Sequence, residues 1–189
     1  MISPSLSFPL QRLLYFVNEL KIFIKEGDMN IIEIYTDGSC INNQRKYNKQ
    51  AGAAAVVLIR KNGNIIKKKI LSWKLGEVSN NYAELIAVKN IIMKLNLPLI
   101  EKEKWKVIIY TDSEYVVNTF NEWIYYYEKN GWKLKTKKEK SVKYKDLIKG
   151  IWTILKKSPY IEIRKIKAHS GNIYNELADK YARKSALSY

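Results

Sequence analysis

Acidic side chains stand at four points of the chain where they could do chemistry together: Asp37 in T-D-G-S, Glu84 in N-N-Y-A-E-L, Asp112 in T-D-S and Asp179 in N-E-L-A-D. Asp37 directly follows a predicted strand, Ile31 to Thr36, and Asp112 follows another, Lys106 to Thr111. If these strands are parallel neighbours, both carboxylates emerge at one carboxyl edge of the sheet, where open α/β sheets bind ligands. Glu84 is expected in the first turn of a helix and Asp179 midway along another. Taken singly, each acid has a plain explanation. Glu84 suits the helix dipole, Asp112 an N-cap, Asp37 a turn before Gly38, and Asp179 an exposed surface. Gathered together, they would repel one another unless a cation compensates. Hard carboxylate oxygens suit Mg²⁺ or Mn²⁺. Two such ions about 4 Å apart can activate a water and stabilise the leaving oxygen of a phosphodiester. One histidine and one cysteine in the whole chain exclude a structural zinc site.

The elements that must position these acids are legible from residue patterns. Ala51 to Arg60 and Ile65 to Trp73 are β-rich runs joined by Lys61-Asn62-Gly63-Asn64, a hairpin signal. Asn81 to Leu95 reads as a helix with Leu85, Val88, Ile92 and Leu95 on one face, ended before Pro98. Lys106 to Thr111 is almost wholly apolar, as a buried parallel strand is. Ser113 to Phe120, Trp123 to Lys129, Tyr144 to Lys157 and Tyr174 to Ser185 read as helices, and Tyr160 to Lys167 as a fifth strand. The loop Asp37 to Gln50 is polar. This order implies an α/β fold, a five-stranded mixed sheet with helices on its faces.

Bulk properties narrow the partners. The chain has 189 residues and a formal net charge of +16, enough length for one domain with a real core. Clustered lysines release counterions from phosphates, so a polyanion is the natural partner, nucleic acid above all. Lysine outnumbers arginine, with frequent Ile, Asn and Tyr; AT-rich coding accounts for part of that charge. Cys40 stands alone, which excludes an intramolecular disulfide and fits a reducing, intracellular compartment, cytoplasm or nucleus. No apolar run is long enough to span a membrane, and no cleavage site marks a secretory signal. Residues 1–30 form an N-terminal extension with a predicted helix between Pro9 and Gly27, and residues 31–189 the domain; Met29 is an alternative start.

Five motifs then fall in one order: T-D-G-S-C, S-N-N-Y-A-E-L, Y-T-D-S-E-Y, A-H-S-G and N-E-L-A-D. In that order the chain resembles type 1 ribonuclease H of the cellular kind, from Ile31 to about Ala186. The resemblance implies a ribonuclease H-like fold and an endonuclease that hydrolyses the RNA strand of RNA–DNA hybrids, leaving 5′-phosphate and 3′-hydroxyl ends. It assigns Asp37, Glu84, Asp112 and Asp179 to two Mg²⁺ ions, with Mn²⁺ as substitute. It gives His169, the single histidine, an accessory part in proton transfer or product release; a group titrating near neutrality suits that part. Asn43, Ser79, Asn80 and Asn81 match substrate contacts. Side-chain amides can read 2′-hydroxyls, which separate RNA from DNA.

The segment Trp132 to Lys145 carries Lys133, Lys135, Lys137, Lys138, Lys140, Lys143 and Lys145 against Glu139. It resembles the family's basic protrusion. Trp123, Tyr126 and Trp132 interleave with it, and cationic and aromatic groups together hold nucleic-acid strands. A protrusion of its own implies activity as an independent monomer. Glu77 departs from the basic phosphate contact of some relatives, and Tyr126 and Tyr127 from their handle-base residues. Other readings stay open: a silent module that only binds nucleic acid, or another nuclease of the superfamily. The intact acids oppose the first. Against the second, exonucleases of this kind begin with Asp-x-Glu, whereas here Ser39 stands in the third place.

Overall fold

The computed structural model describes residues 30–42, 44, 49–134 and 140–188. The predicted N-terminal helix, Asn43, Lys135, Lys137 and Lys138 lie outside the described residues.

Three strands come first: β1 (Asn30–Ile41), β2 (Gln50–Lys61) and β3 (Asn64–Gly76). The Asn62-Gly63 turn between β2 and β3 has φ of 51° and 78°. Both are positive, as a two-residue hairpin loop requires. Then follow α1 (Asn80–Ile92), α2 (Leu97–Lys102), β4 (Lys106–Thr111), α3 (Glu114–Asn118), a π-helical turn (Thr119–Trp123), α4 (Ile124–Lys129), α5 (Lys145–Lys156), β5 (Ile161–Lys165) and α6 (Ile173–Leu187). The five-stranded sheet has the order β3-β2-β1-β4-β5. β1 runs antiparallel to β2 and parallel to β4, and β4 runs parallel to β5. The mixed sheet with flanking helices is the fold class expected from the sequence.

Several boundaries differ from the sequence reading, each for a physical reason. β1 does not stop at Thr36. Its ladder with β2 continues through Asp37↔Ala54 to Ile41↔Gln50, beyond the last β4 pair at Thr36↔Thr111. Asp37 therefore sits inside a strand, not in a loop. Asn30 begins that strand, so the domain includes it. The helix expected to end before Pro98 stops at Ile92, and Pro98 lies in the first turn of α2, which Asn96 caps by accepting from the Leu99 amide. Proline is tolerated there because its missing N–H would have no helical partner. The helix predicted from Ser113 to Phe120 breaks after Asn118 into the π-turn, which places Asn121 so that its amide donates to the Ile163 carbonyl of β5 at 3.1 Å.

The main core lies between one sheet face and the helices α1 and α3 to α5. Ile34, Leu85, Val107, Ile109, Ile124, Ile148 and Ile151 are among its buried members. The opposite face packs Tyr35, Val56 and Leu58 under Ala178 of α6. The buried face of α6 is small, with Ala178, Ala182, Ser185 and Ala186. At Gly52 of β2 an added Cβ would lie 2.2 Å from Ser185 Oγ and 2.4 Å from the Ala182 carbonyl. Glycine thus lets helix and strand backbones approach closely. No helix among the described residues is long and apolar enough to cross a membrane.

Candidate active site

The parallel pairing of β1 with β4 places Asp37 and Asp112 side by side at the carboxyl edge of the sheet. Glu84 arrives from α1. Ser79 caps that helix by accepting from the Tyr82 amide at 3.4 Å. Glu84 stands beyond the first turn, so the dipole explanation does not account for it. Its place is fixed by contact of α1 with β1. A Cβ at Gly38 would lie 2.2 Å from the Glu84 amide nitrogen and 2.7 Å from its Cα. Carboxylate oxygens of Asp37, Glu84 and Asp112 lie within 4.8 Å of one another. Asp179 lines the same cleft but is not in that group; its Oδ1 accepts from Arg183 Nε one helical turn on, at 2.8 Å.

Burial and mutual repulsion govern the electrostatics. Asp37 and Glu84 are 7% and 5% exposed. Burial, then the charges of Asp112 and Asp179, pushes the Asp37 carboxyl from 3.8 up to about 8. Burial, with Asp37 and Asp112 next, holds Glu84 well above the carboxylate range. Glu84 Oε2 is buried without a hydrogen-bond partner. An unpartnered acceptor of this kind costs about 1–3 kcal/mol. Converging hard oxygens that retain protons near neutrality, one of them lacking a donor, fit a divalent cation. Such binding must release protons. Affinity for Mg²⁺ in the absence of substrate is therefore expected to rise with pH toward about 8, where Asp37 ionises unaided. Calorimetric titration across that range, in buffers of different ionisation enthalpy, measures both affinity and proton release. An affinity independent of pH between 6 and 8 would contradict the site.

The cleft has a volume of about 800 Å³ and is also lined by Asn80, Asn81, Tyr115, His169 and Asn175. His169 is exposed on the loop before α6, with a left-handed backbone at φ 47°. Ser79 is hydrogen-bonded through its hydroxyl to the Tyr144 phenol. Tyr144 itself stacks edge-on with Tyr82 and Tyr115, under Lys143 Nζ at 4.8 Å from its ring. Trp123 and Tyr126 are 37% and 38% exposed, whereas Trp132 is buried in the core with Lys149 Nζ 5.1 Å from its ring centroid. Sequence reasoning passed over Asn175 as a site residue, although it lies one helical turn before Asp179. Its Nδ2 donates to Asp112 Oδ2 at 3.0 Å. Spacing i to i+4 from Asp179 was the available signal.

The chain matches the family model described as RNase H over residues 29–187. A ribonuclease H of Caldanaerobacter subterraneus subsp. tengcongensis is 39% identical over 158 residues, covering 83% of this chain and 92% of the relative. A ribonuclease H of Wolbachia sp. subsp. Drosophila simulans is 35% identical over 156 residues, covering 82% and 95%. The crystal structure of LC9-RNase H1, a type 1 RNase H with the type 2 active-site motif, superposes with a TM-score of 0.67 at 22% identity, covering 86% of this chain and 74% of that one, and shows the same fold. Motif order, sheet topology and a carboxylate cluster at the shared edge agree with these matches, and the chain belongs to the ribonuclease H family.

Proposed function

We propose that this chain is an endonuclease that hydrolyses the RNA strand of RNA–DNA hybrids with two divalent ions, Mg²⁺ by preference and Mn²⁺ as substitute, leaving 5′-phosphate and 3′-hydroxyl ends. The observation that carries the reading is the buried cluster of Asp37, Glu84 and Asp112 on the floor of an open cleft, in a chain of this family. Asp179, which lines the same cleft, completes the ligand set on this reading. Bound there, the ions supply Lewis acidity toward the phosphodiester and promote deprotonation of the attacking water.

The chain's own residues do the rest. Asn80 and Asn81 present amides to the cleft from the start of α1 and can exchange hydrogen bonds with 2′-hydroxyls. His169, exposed beside the acids, can pass a proton to solvent. Trp123 and Tyr126 offer ring surface for stacking on sugars and bases. Asn43, Ser79, Lys135, Lys137 and Lys138 complete the proposed substrate contacts; Trp132, buried in the core, is left out of that set. The Tyr144 phenol already holds the Ser79 hydroxyl, so a phosphate at Ser79 must share or displace that bond. On this reading the substrate is intracellular and the chain acts as a monomer, its domain running from Asn30 at the start of β1.

End-labelled hybrid, double-stranded RNA and double-stranded DNA of one sequence, incubated side by side with Mg²⁺ and with EDTA, test the reading. Cleavage confined to the RNA of the hybrid, lost in EDTA, is expected. The RNA fragments should carry 3′-hydroxyl ends that a polymerase can extend. Equal cutting of the DNA duplex, or full activity in EDTA, would sink it.

A further inference from the structure

We propose that Asn175 is a positioning residue, whose side-chain amide turns the Asp112 carboxylate toward Asp37 and Glu84 and thereby raises the affinity of the cluster for a divalent cation. The inference rests on the reading of these acids as metal ligands.

Asn175 is 3% exposed, in the first turn of α6. Its backbone is fixed there because the Asn175 amide donates to Asn172 Oδ1 at 3.0 Å. The Nδ2 donates to Asp112 Oδ2 at 3.0 Å, whereas Oδ1 is buried with no donor. An asparagine chosen for packing alone would satisfy both ends of its amide. Leaving Oδ1 open costs about 1–3 kcal/mol. A bond from an amide to a carboxylate is roughly twice as strong as a neutral one and can hold the amide against that cost. The reverse orientation would set two acceptors face to face. Asp112 follows β4 in an irregular segment, with no ladder to fix its side chain. The Asn175 bond ties that carboxylate to α6, the helix that carries Asp179. Partners that orient metal ligands typically change metal affinity about 10- to 100-fold.

The test uses the full chain and the metal alone. Asn175→Ala is titrated with Mg²⁺ and with Mn²⁺ by calorimetry, without substrate. Dissociation constants about 10- to 100-fold weaker than wild type are expected. The KM for hybrid should stay within about twofold, and kcat should recover as metal is raised, since ligand orientation is lost rather than substrate binding. In an Asp112→Ala background, Asn175→Ala should change metal affinity no further. Equal affinity in wild type and Asn175→Ala would overturn the proposal, as would an undiminished effect without Asp112. A wild type that binds no divalent ion would instead overturn the reading of the acids themselves. Should Asn175→Ala not fold, the Asn175 side-chain amide resonances decide the matter. They should shift upfield and exchange faster in Asp112→Ala than in wild type; unchanged resonances would refute the contact.

Discussion

Asp37→Asn is expected to lose turnover by on the order of 1,000-fold or more, because several kcal/mol of transition-state stabilisation depend on the bound cation. The same substitution should make the metal-free protein more stable. In the folded chain the Asp37 carboxyl is raised from 3.8 to about 8 by burial and by Asp112 and Asp179. A group raised in this way contributes stability that is fully present below about 4 and is lost as pH rises through about 8. Asparagine keeps the shape and has no charge to suppress. The melting temperature of the metal-free variant should therefore exceed that of wild type by a margin that is small near pH 4 and grows toward pH 8. A gain of about 2–3 kcal/mol corresponds to roughly 5–10 °C for a domain of this size. Saturating Mg²⁺ should shrink or reverse the margin, because only wild type then gains the full binding energy. Scanning calorimetry at several pH values, with and without the ion, measures all of this. Turnover near the wild-type rate, or a metal-free variant less stable than wild type at pH 8, would refute the assignment.

The second large effect is expected at a residue with no functional group. Gly38→Ala places a Cβ 2.2 Å from the Glu84 amide nitrogen and 2.5 Å from the Ala83 carbonyl carbon. These are backbone atoms, and no rotamer change relieves the overlap. Either β1 or α1 must move. Overpacking of this sort costs about 1–3 kcal/mol, and more where backbone must shift, or roughly 2–12 °C here. Since α1 carries Glu84, a displacement of about 1 Å at the cluster can cost on the order of 100-fold in rate. Metal affinity should fall with it. Gly150 supplies the comparison, for an alanine Cβ there meets nothing within 4 Å. At this exposed position of α5, Gly150→Ala should be neutral or stabilising by up to about 1 kcal/mol. Equal melting temperatures for the two variants would mean that the contact of α1 with β1 is not tight.

What could be read from the sequence, and what could not, follows the range of the forces involved. The hairpin at Asn62-Gly63 was legible because a single dipeptide fixes the turn. β4 was legible to the residue because its apolar run is bounded by Lys106 and Asp112. The extent of β1 was not. Residues 37–41 mix small and polar types, and only pairing with distant Ala51 to Ala54 makes them strand. The π-turn was hidden likewise, since its Asn121 bond reaches β5, a partner remote in sequence. In the site, acid types and order could be read, and so could the sheet edge that gathers Asp37 and Asp112. The Arg183 partner of Asp179 was within reach too, since it stands four residues on in the same helix. The burial of Trp132 could not be read, because it depends on how helices settle against the sheet.

The tight seat of α6 at Gly52 bears on how the molecule is made. Of the described elements, α6 leaves the ribosome last, yet it packs on strands near the front of the chain. A nascent chain that has already paired β1 with β4 holds Asp37, Glu84 and Asp112 but lacks Asp179 and the amide that orients Asp112. Synthesis and assembly of the site are thus separated in time. On the proposed reading of the acids, an unfinished chain offers hybrid an incomplete cluster, and only arrival of α6 closes it.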